Sequence, residues 1–102
     1  MNGIEWHFLI PSRQSLNRGE DLNLLIGADN KTDTDISCPV RIYCSTDGDP
    51  FLLAVEERIL PAGQPTHIYI TLSGKALEEI DDDEFIISLE GGLFPQMICY
   101  ND

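Results

Sequence analysis

Residues able to move protons or attack carbon are scarce in this chain. It holds two histidines, His7 and His67, and three cysteines, Cys38, Cys44 and Cys99, among 102 residues. Nucleophilic catalysis needs a nucleophile, a base and a group that orients the base. Both histidines fall in the middle of stretches of alternating polarity, and neither Gly-x-Ser-x-Gly nor His-Glu-x-x-His occurs. No catalytic set is expected, and the chain reads as a non-enzyme. The histidines show no zinc-ligand spacing and there is no Cys-x-x-Cys, so no metal site is expected from them. Cys38 and Cys44 share one apparent strand, which separates them by about 20 Å, far beyond the roughly 7 Å that a disulfide tolerates. Three reduced, largely buried thiols follow, acting as small hydrophobes. They suit a reducing compartment, or an exported bacterial domain that does without disulfides.

Carboxylates are abundant instead. Glu78, Glu79, Asp81, Asp82, Asp83 and Glu84 fall within seven residues, and Asp29, Asn30, Asp33 and Asp35 form a second acidic segment. No cofactor is expected; calcium, which takes 6–8 oxygens, is the one ion that either run could recruit. The first run could also dock a basic partner, but a solvated connection between strands is the favoured reading, because like-charge runs usually stay exposed. Asn30-Lys31-Thr32 is a glycosylation sequon, relevant only in a eukaryotic secretory route. Eighteen Asp and Glu against six Lys and Arg leave a net charge of −12. That surface repels phosphate backbones and anionic headgroups, so neither direct nucleic-acid binding nor membrane association is expected.

The elements that must position these groups are strands. Ile4, Trp6, Phe8 and Ile10 alternate with Glu5, His7 and Leu9; Leu22, Leu24, Ile26 and Ala28 with Asn23, Leu25 and Gly27; Val40, Ile42 and Cys44 with Arg41, Tyr43 and Ser45. Phe51–Ile59, then Ile68, Ile70 and Leu72, then Phe85–Leu89 and Phe94–Tyr100 complete seven strands. Asp47-Gly48, Leu60–Pro65 and Gly91-Gly92 supply turns. Ser73 caps a single short helical segment over residues 74–80. Seven short strands with frequent turn signals in one domain, residues 1–102, indicate an all-β sandwich. No apolar run reaches the ~20 residues of a membrane span, and Met1–Ile10 lacks the pattern of a signal peptide. A complete chain would be cytoplasmic; a module excised from a longer one would belong at a cell surface.

Arg18-Gly19-Glu20-Asp21-Leu22-Asn23-Leu24, followed by Asn30 and Val40-Arg41-Ile42-Tyr43, resembles the immunoglobulin-like domains of bacterial surface and adhesion-repeat proteins. Leu60-Pro61-Ala62-Gly63-Gln64-Pro65-Thr66-His67-Ile68 is similar to the second glycine turn of that family. The resemblance spans residues 16–90. It implies an immunoglobulin-like β-sandwich of about seven antiparallel strands and no activity of its own.

In such a sandwich, let Val40, Ile42, Phe85, Ile87, Met97 and Cys99 face the core. Arg41, Tyr43, Ile86, Phe94, Ile98 and Tyr100 then lie on the outer face of one sheet, a composition suited to a protein interface. A one-residue register change inverts this set. The leading expectation is a non-catalytic protein-binding or structural module that engages a protein partner or a second copy of itself. The alternative is a small acidic inhibitor or accessory protein, phage-encoded for example, that occupies a basic groove on its partner.

Overall fold

Eight strands and one helical turn are formed by residues 3–90 and 92–101, which the computed structural model describes. Gly91, half of the expected Gly91-Gly92 turn, lies outside them. In chain order these are β1 (Ile4–Pro11), β2 (Ser15–Leu16), β3 (Leu22–Asn30), β4 (Ile36–Ser45), β5 (Phe51–Leu60), β6 (Pro65–Leu72), α1 (Gly74–Leu77), β7 (Glu84–Leu89) and β8 (Leu93–Tyr100). They build a three-stranded sheet, β1-β3-β6, and a five-stranded sheet, β2-β8-β7-β4-β5. The fold is all-β, with two sheets closing over one core. No helix among the described residues is long and apolar enough to cross a membrane.

The core forms where the alternating apolar faces of the two sheets meet. Leu22, Leu24, Ile26, Ile68, Ile70 and Leu72 come from the smaller sheet; Val40, Ile42, Cys44, Phe85, Ile87 and Leu89 come from the larger. Burying each such side chain contributes about 1.5–3 kcal/mol. Two close approaches demand glycine. A Cβ on Gly27 would lie 2.3 Å from the Phe8 ring, and one on Gly74 would lie 2.0 Å from the Gly19 carbonyl oxygen. Ser73 caps α1 as expected, its Oγ accepting from the Ala76 N–H at 3.1 Å.

Three features depart from the pattern in the sequence. The strand count is eight, because β2 occupies two residues of the Ser12–Glu20 connection, too short to show a period. It pairs parallel to β8, so the larger sheet is mixed rather than wholly antiparallel. In β1 a bulge between Trp6 and Phe8 changes the facing. Beyond it Leu9 is buried and Ile10 exposed, the reverse of strict alternation.

The third departure affects the expected interface. On β8, Leu93 pairs with Leu89, whereas Gln96 pairs with Ile87. Phe94 and Pro95 thus oppose the single residue Ser88, and Phe94 takes a left-handed φ of 52°. This bulge sets the register that pairs Phe85 with Ile98 and Ile86 with Met97. Ile98 is fully buried and Tyr100 nearly so, while Phe94 is half-buried against the core. All three were expected on the outer face; they face inward instead. Met97 and Cys99, expected inside, face outward. Pro39 disturbs nothing, because β4 pairs with β7 only from Ile42 onward and is paired at Pro39 by the edge strand β5 alone.

Candidate functional site

The outer face of the five-stranded sheet carries an apolar surface built from four strands. β4 supplies Arg41 and Tyr43, β7 supplies Ile86, β8 supplies Met97, and β5 supplies Leu52 and Val55. Tyr43 pairs with Leu52 on one side and Ser88 on the other, Arg41 pairs with Val55, and Ile86 pairs with Met97. Leu52, Val55 and Met97 are each about half exposed; Arg41, Tyr43 and Ile86 are less so. Glu90 holds Arg41: its carboxylate accepts from the Arg41 backbone N–H at 3.3 Å and lies 3.8 Å from the guanidinium. Of the six residues expected on this face, the structure brings Arg41, Tyr43 and Ile86 together here. Leu52, Val55 and Met97 escaped the sequence reading, because only register tells which β5 and β8 residues share a face with Tyr43. The smaller sheet also has an apolar outer region, a groove of about 250 Å³ lined by Ile10, Pro11, Leu25 and Tyr69 among others.

The acidic run has a different organisation. Glu78 ends α1, Glu79 to Asp83 form a loop, and Glu84 opens β7. Arg18 reaches over this loop. Its guanidinium donates to the carbonyl oxygens of Ile80 at 3.0 Å, Asp81 at 3.1 Å and Asp82 at 3.4 Å, and to the Asp83 carboxylate at 3.3 Å. It also lies 4.0 Å over the Tyr100 ring, a cation–π contact. The Tyr100 hydroxyl donates to the Leu77 carbonyl at 2.5 Å, and the Asp83 carbonyl accepts from the Tyr100 N–H at 2.8 Å. Beside this knot lies an open groove of about 460 Å³ lined by Asp47, Asp82, Asp83, Glu84, Cys99 and Tyr100. Burial pushes the Tyr100 phenol above its ordinary value, against the opposing pull of Arg18. The Cys99 thiol donates to Glu84 at 3.7 Å; desolvation and that carboxylate raise its pKa.

The second acidic segment is organised by Asn30, which is wholly buried at the end of β3. Its amide nitrogen donates to the carbonyls of Thr34 at 2.8 Å and Leu60 at 2.9 Å. Its amide oxygen accepts from the Thr32 N–H at 2.9 Å and the Thr32 hydroxyl at 2.7 Å. The sequon asparagine is therefore inaccessible in the folded chain. Asp35 accepts from the Ala62 N–H at 2.9 Å. Asp29 faces the other way, toward β1, where Glu5, His7 and Lys31 gather around it. In the sequence Asp29 stood out only within its acidic segment, and nothing joined it to Glu5 and His7, because that pairing depends on β1 lying beside β3.

No protein-family profile matches the chain, and no curated protein matches it. Solved structures do. A β-glucosidase from Erythrobacter marinus superposes with a TM-score of 0.77 at 13% identity, over 96% of this chain and 15% of its own. A β-glucosidase from Listeria innocua in complex with glucose gives 0.71 at 18% identity, over 97% of this chain and 16% of its own. The alkylpurine DNA glycosylase AlkC of Pseudomonas fluorescens, bound to DNA containing an abasic site analog, gives 0.71 at 15% identity, over all of this chain and 31% of its own. The likeness is one of fold. This chain spans less than a third of each of these three proteins.

Proposed function

We propose that the chain is a non-catalytic module of immunoglobulin-like fold that binds protein through the outer face of its five-stranded sheet. The observation that carries this reading is the cluster of Leu52, Val55 and Met97, half exposed around Tyr43 and Ile86. An apolar and aromatic cluster beside one arginine has the composition of an interface core. The immunoglobulin-like assignment draws support from the strand order, three strands against five with a short first-edge strand parallel to the last. The occurrence of similar folds as one part of much longer chains supports a module that works beside other domains.

The test is Val55→Lys, with Ile86→Lys as a second variant. A charge on a free outer face costs little folding stability, whereas one buried in an interface is unpartnered. Sedimentation of the chain and its capture of partners from source-cell extract should both show association lost in the variants while melting shifts by no more than a few degrees. Association unchanged in both variants would overturn the reading.

A second reading, an acidic accessory protein that occupies a basic groove, is favoured by the open groove lined by Asp47, Asp82, Asp83 and Glu84. Salt separates the two. Contact through carboxylates weakens steeply between low and high ionic strength, and contact through the apolar face does not.

A further inference from the structure

We propose that Glu5, His7 and Asp29 form a binding site for a divalent transition-metal ion of the zinc class, and that the Lys31 ammonium competes for the same place. Glu5 on β1 stands directly opposite Asp29 on β3, a like-charge cross-strand pair that is destabilising on its own. His7 is the extra residue of the β1 bulge, between Trp6, opposite Ala28, and Phe8, opposite Gly27. The bulge re-aims the imidazole, a device by which strands present a side chain off their normal alternation. Its Nε2 lies 3.7 Å from the Glu5 carboxylate and 3.8 Å from that of Asp29. All three donor atoms fall within 4.8 Å of one another.

Those spacings fit a small ion. Zinc bound to nitrogen and oxygen at about 2.0–2.2 Å in a tetrahedron separates its ligands by roughly 3.3–3.6 Å. The two His7 distances need to close by only a few tenths of an ångström, and rotation of the exposed Glu5 carboxylate toward the mostly buried Asp29, within 4.8 Å, completes that geometry and leaves a fourth position for water. One imidazole with two carboxylates suits zinc better than calcium, which takes six to eight oxygens. A cation already responds to this pocket. The Lys31 Nζ sits 3.1 Å from the Asp29 carboxylate and 3.6 Å from that of Glu5. Lys31 is more than half exposed, so the ammonium can swing into water when an ion enters.

Titration calorimetry of the chelator-treated chain with zinc chloride tests this. One equivalent should bind, and melting should rise by roughly 5–10 °C at ten times Kd. His7→Gln should weaken binding by about tenfold or more. Asp29→Asn should do the same, which covers the case in which one variant folds poorly. Lys31→Met should tighten binding by about two- to fivefold, because a competing ion pair is removed. His67→Gln and Cys99→Ser should leave it unchanged. Absence of binding in both the natural chain and Lys31→Met would overturn the proposal. So would binding that survives His7→Gln, or calcium binding as tightly as zinc.

Discussion

Two loops of similar acidity are held in opposite ways. The segment after β3 is tied by Asn30, a neutral amide with no exposed surface that satisfies two backbone carbonyls and accepts from both polar groups of Thr32. The loop before β7 is tied by Arg18, a cation whose side chain is 40% exposed and whose partners are mostly the carbonyls of an acidic run. Both loops read in the sequence as acidic runs. The first knot works by hydrogen bonds removed from water, where every lost partner strands another group. The second works by charge at the surface, where solvent and salt share the load. The Asn30 knot contains no ionisable group, whereas the Arg18 knot includes Tyr100 and lies near Cys44, whose thiol senses Asp82.

The largest expected effect comes from cutting the first knot. Asn30→Ala removes four hydrogen bonds and leaves the Leu60 carbonyl buried without its donor. A loss of about 2–4 kcal/mol is expected, or roughly 10–20 °C of melting temperature in a domain of this size. The loss should be the same in low and high salt. A loss below that of the Arg18 variant would invert the contrast between the two loops.

Alkaline pH should act on the second knot and spare the first. Burial, with a smaller push from Asp82, raises the Cys44 thiol from 9.0 to about 11, and burial raises Tyr100 above 10.0. Each folded value exceeds the unfolded one, so the folded chain holds a proton that the unfolded chain has released. The associated stability is intact below pH 9 and is lost as pH rises from about 9 to 11. Melting followed between pH 8 and 11 should show the decline, with a shallower slope in Cys44→Ala. Equal slopes in the two proteins would remove Cys44 from the account.

The buried side of this architecture was largely legible in the sequence, and the edges were not. Alternation alone placed Val40, Ile42, Phe85, Ile87, Ile68 and Ile70, because the strands that carry them keep their inward parity at those residues. It misplaced Ile98 and Tyr100, since a bulge at Phe94 and Pro95 changes the register beside β7, and a period of two carries no memory of an inserted residue. The same cause hid the turn of Ile10 toward solvent beyond His7. Of the candidate face, the half on β4 and β7 was visible; the half on β5 and β8 depends on which strand lies beside which. The hold of Arg18 on the acidic loop gave no signal, because its hydrogen-bond partners are 62 to 65 residues away.

A smaller effect is expected from Tyr100→Phe. The hydroxyl is buried and donates to the Leu77 carbonyl, while the ring keeps its contact with Phe85 and its place under Arg18. About 1 kcal/mol should be lost, the net worth of one hydrogen bond, because the Leu77 carbonyl keeps the Ile80 N–H as a donor at 3.0 Å. Denaturant unfolding of the pair Tyr100→Phe and Asn30→Ala, singly and together, should give additive losses, because the residues serve different loops. Strong coupling would mean that the two loops interact energetically through the elements between them.

The smallest effect should follow Arg18→Gln, and its salt dependence matters more than its size. The substitution removes the charge that stands among Asp81, Asp82 and Asp83, and it removes the cation from the Tyr100 ring. Because the guanidinium is substantially exposed, solvent already weakens these interactions, and a loss of about 0.5–1 kcal/mol is expected at low ionic strength. The carboxylates then repel one another without a neutralising partner. Added salt shortens the screening length from about 10 Å at 0.1 M to about 3 Å at 1 M. It should therefore stabilise the variant more than the natural chain, and the gap between them should close in denaturant unfolding at 1 M sodium chloride. A gap that persists in high salt would show that Arg18 acts through its packing on Tyr100 and its neutral carbonyl partners. The contrast with Asn30 would then be one of burial alone and not of charge.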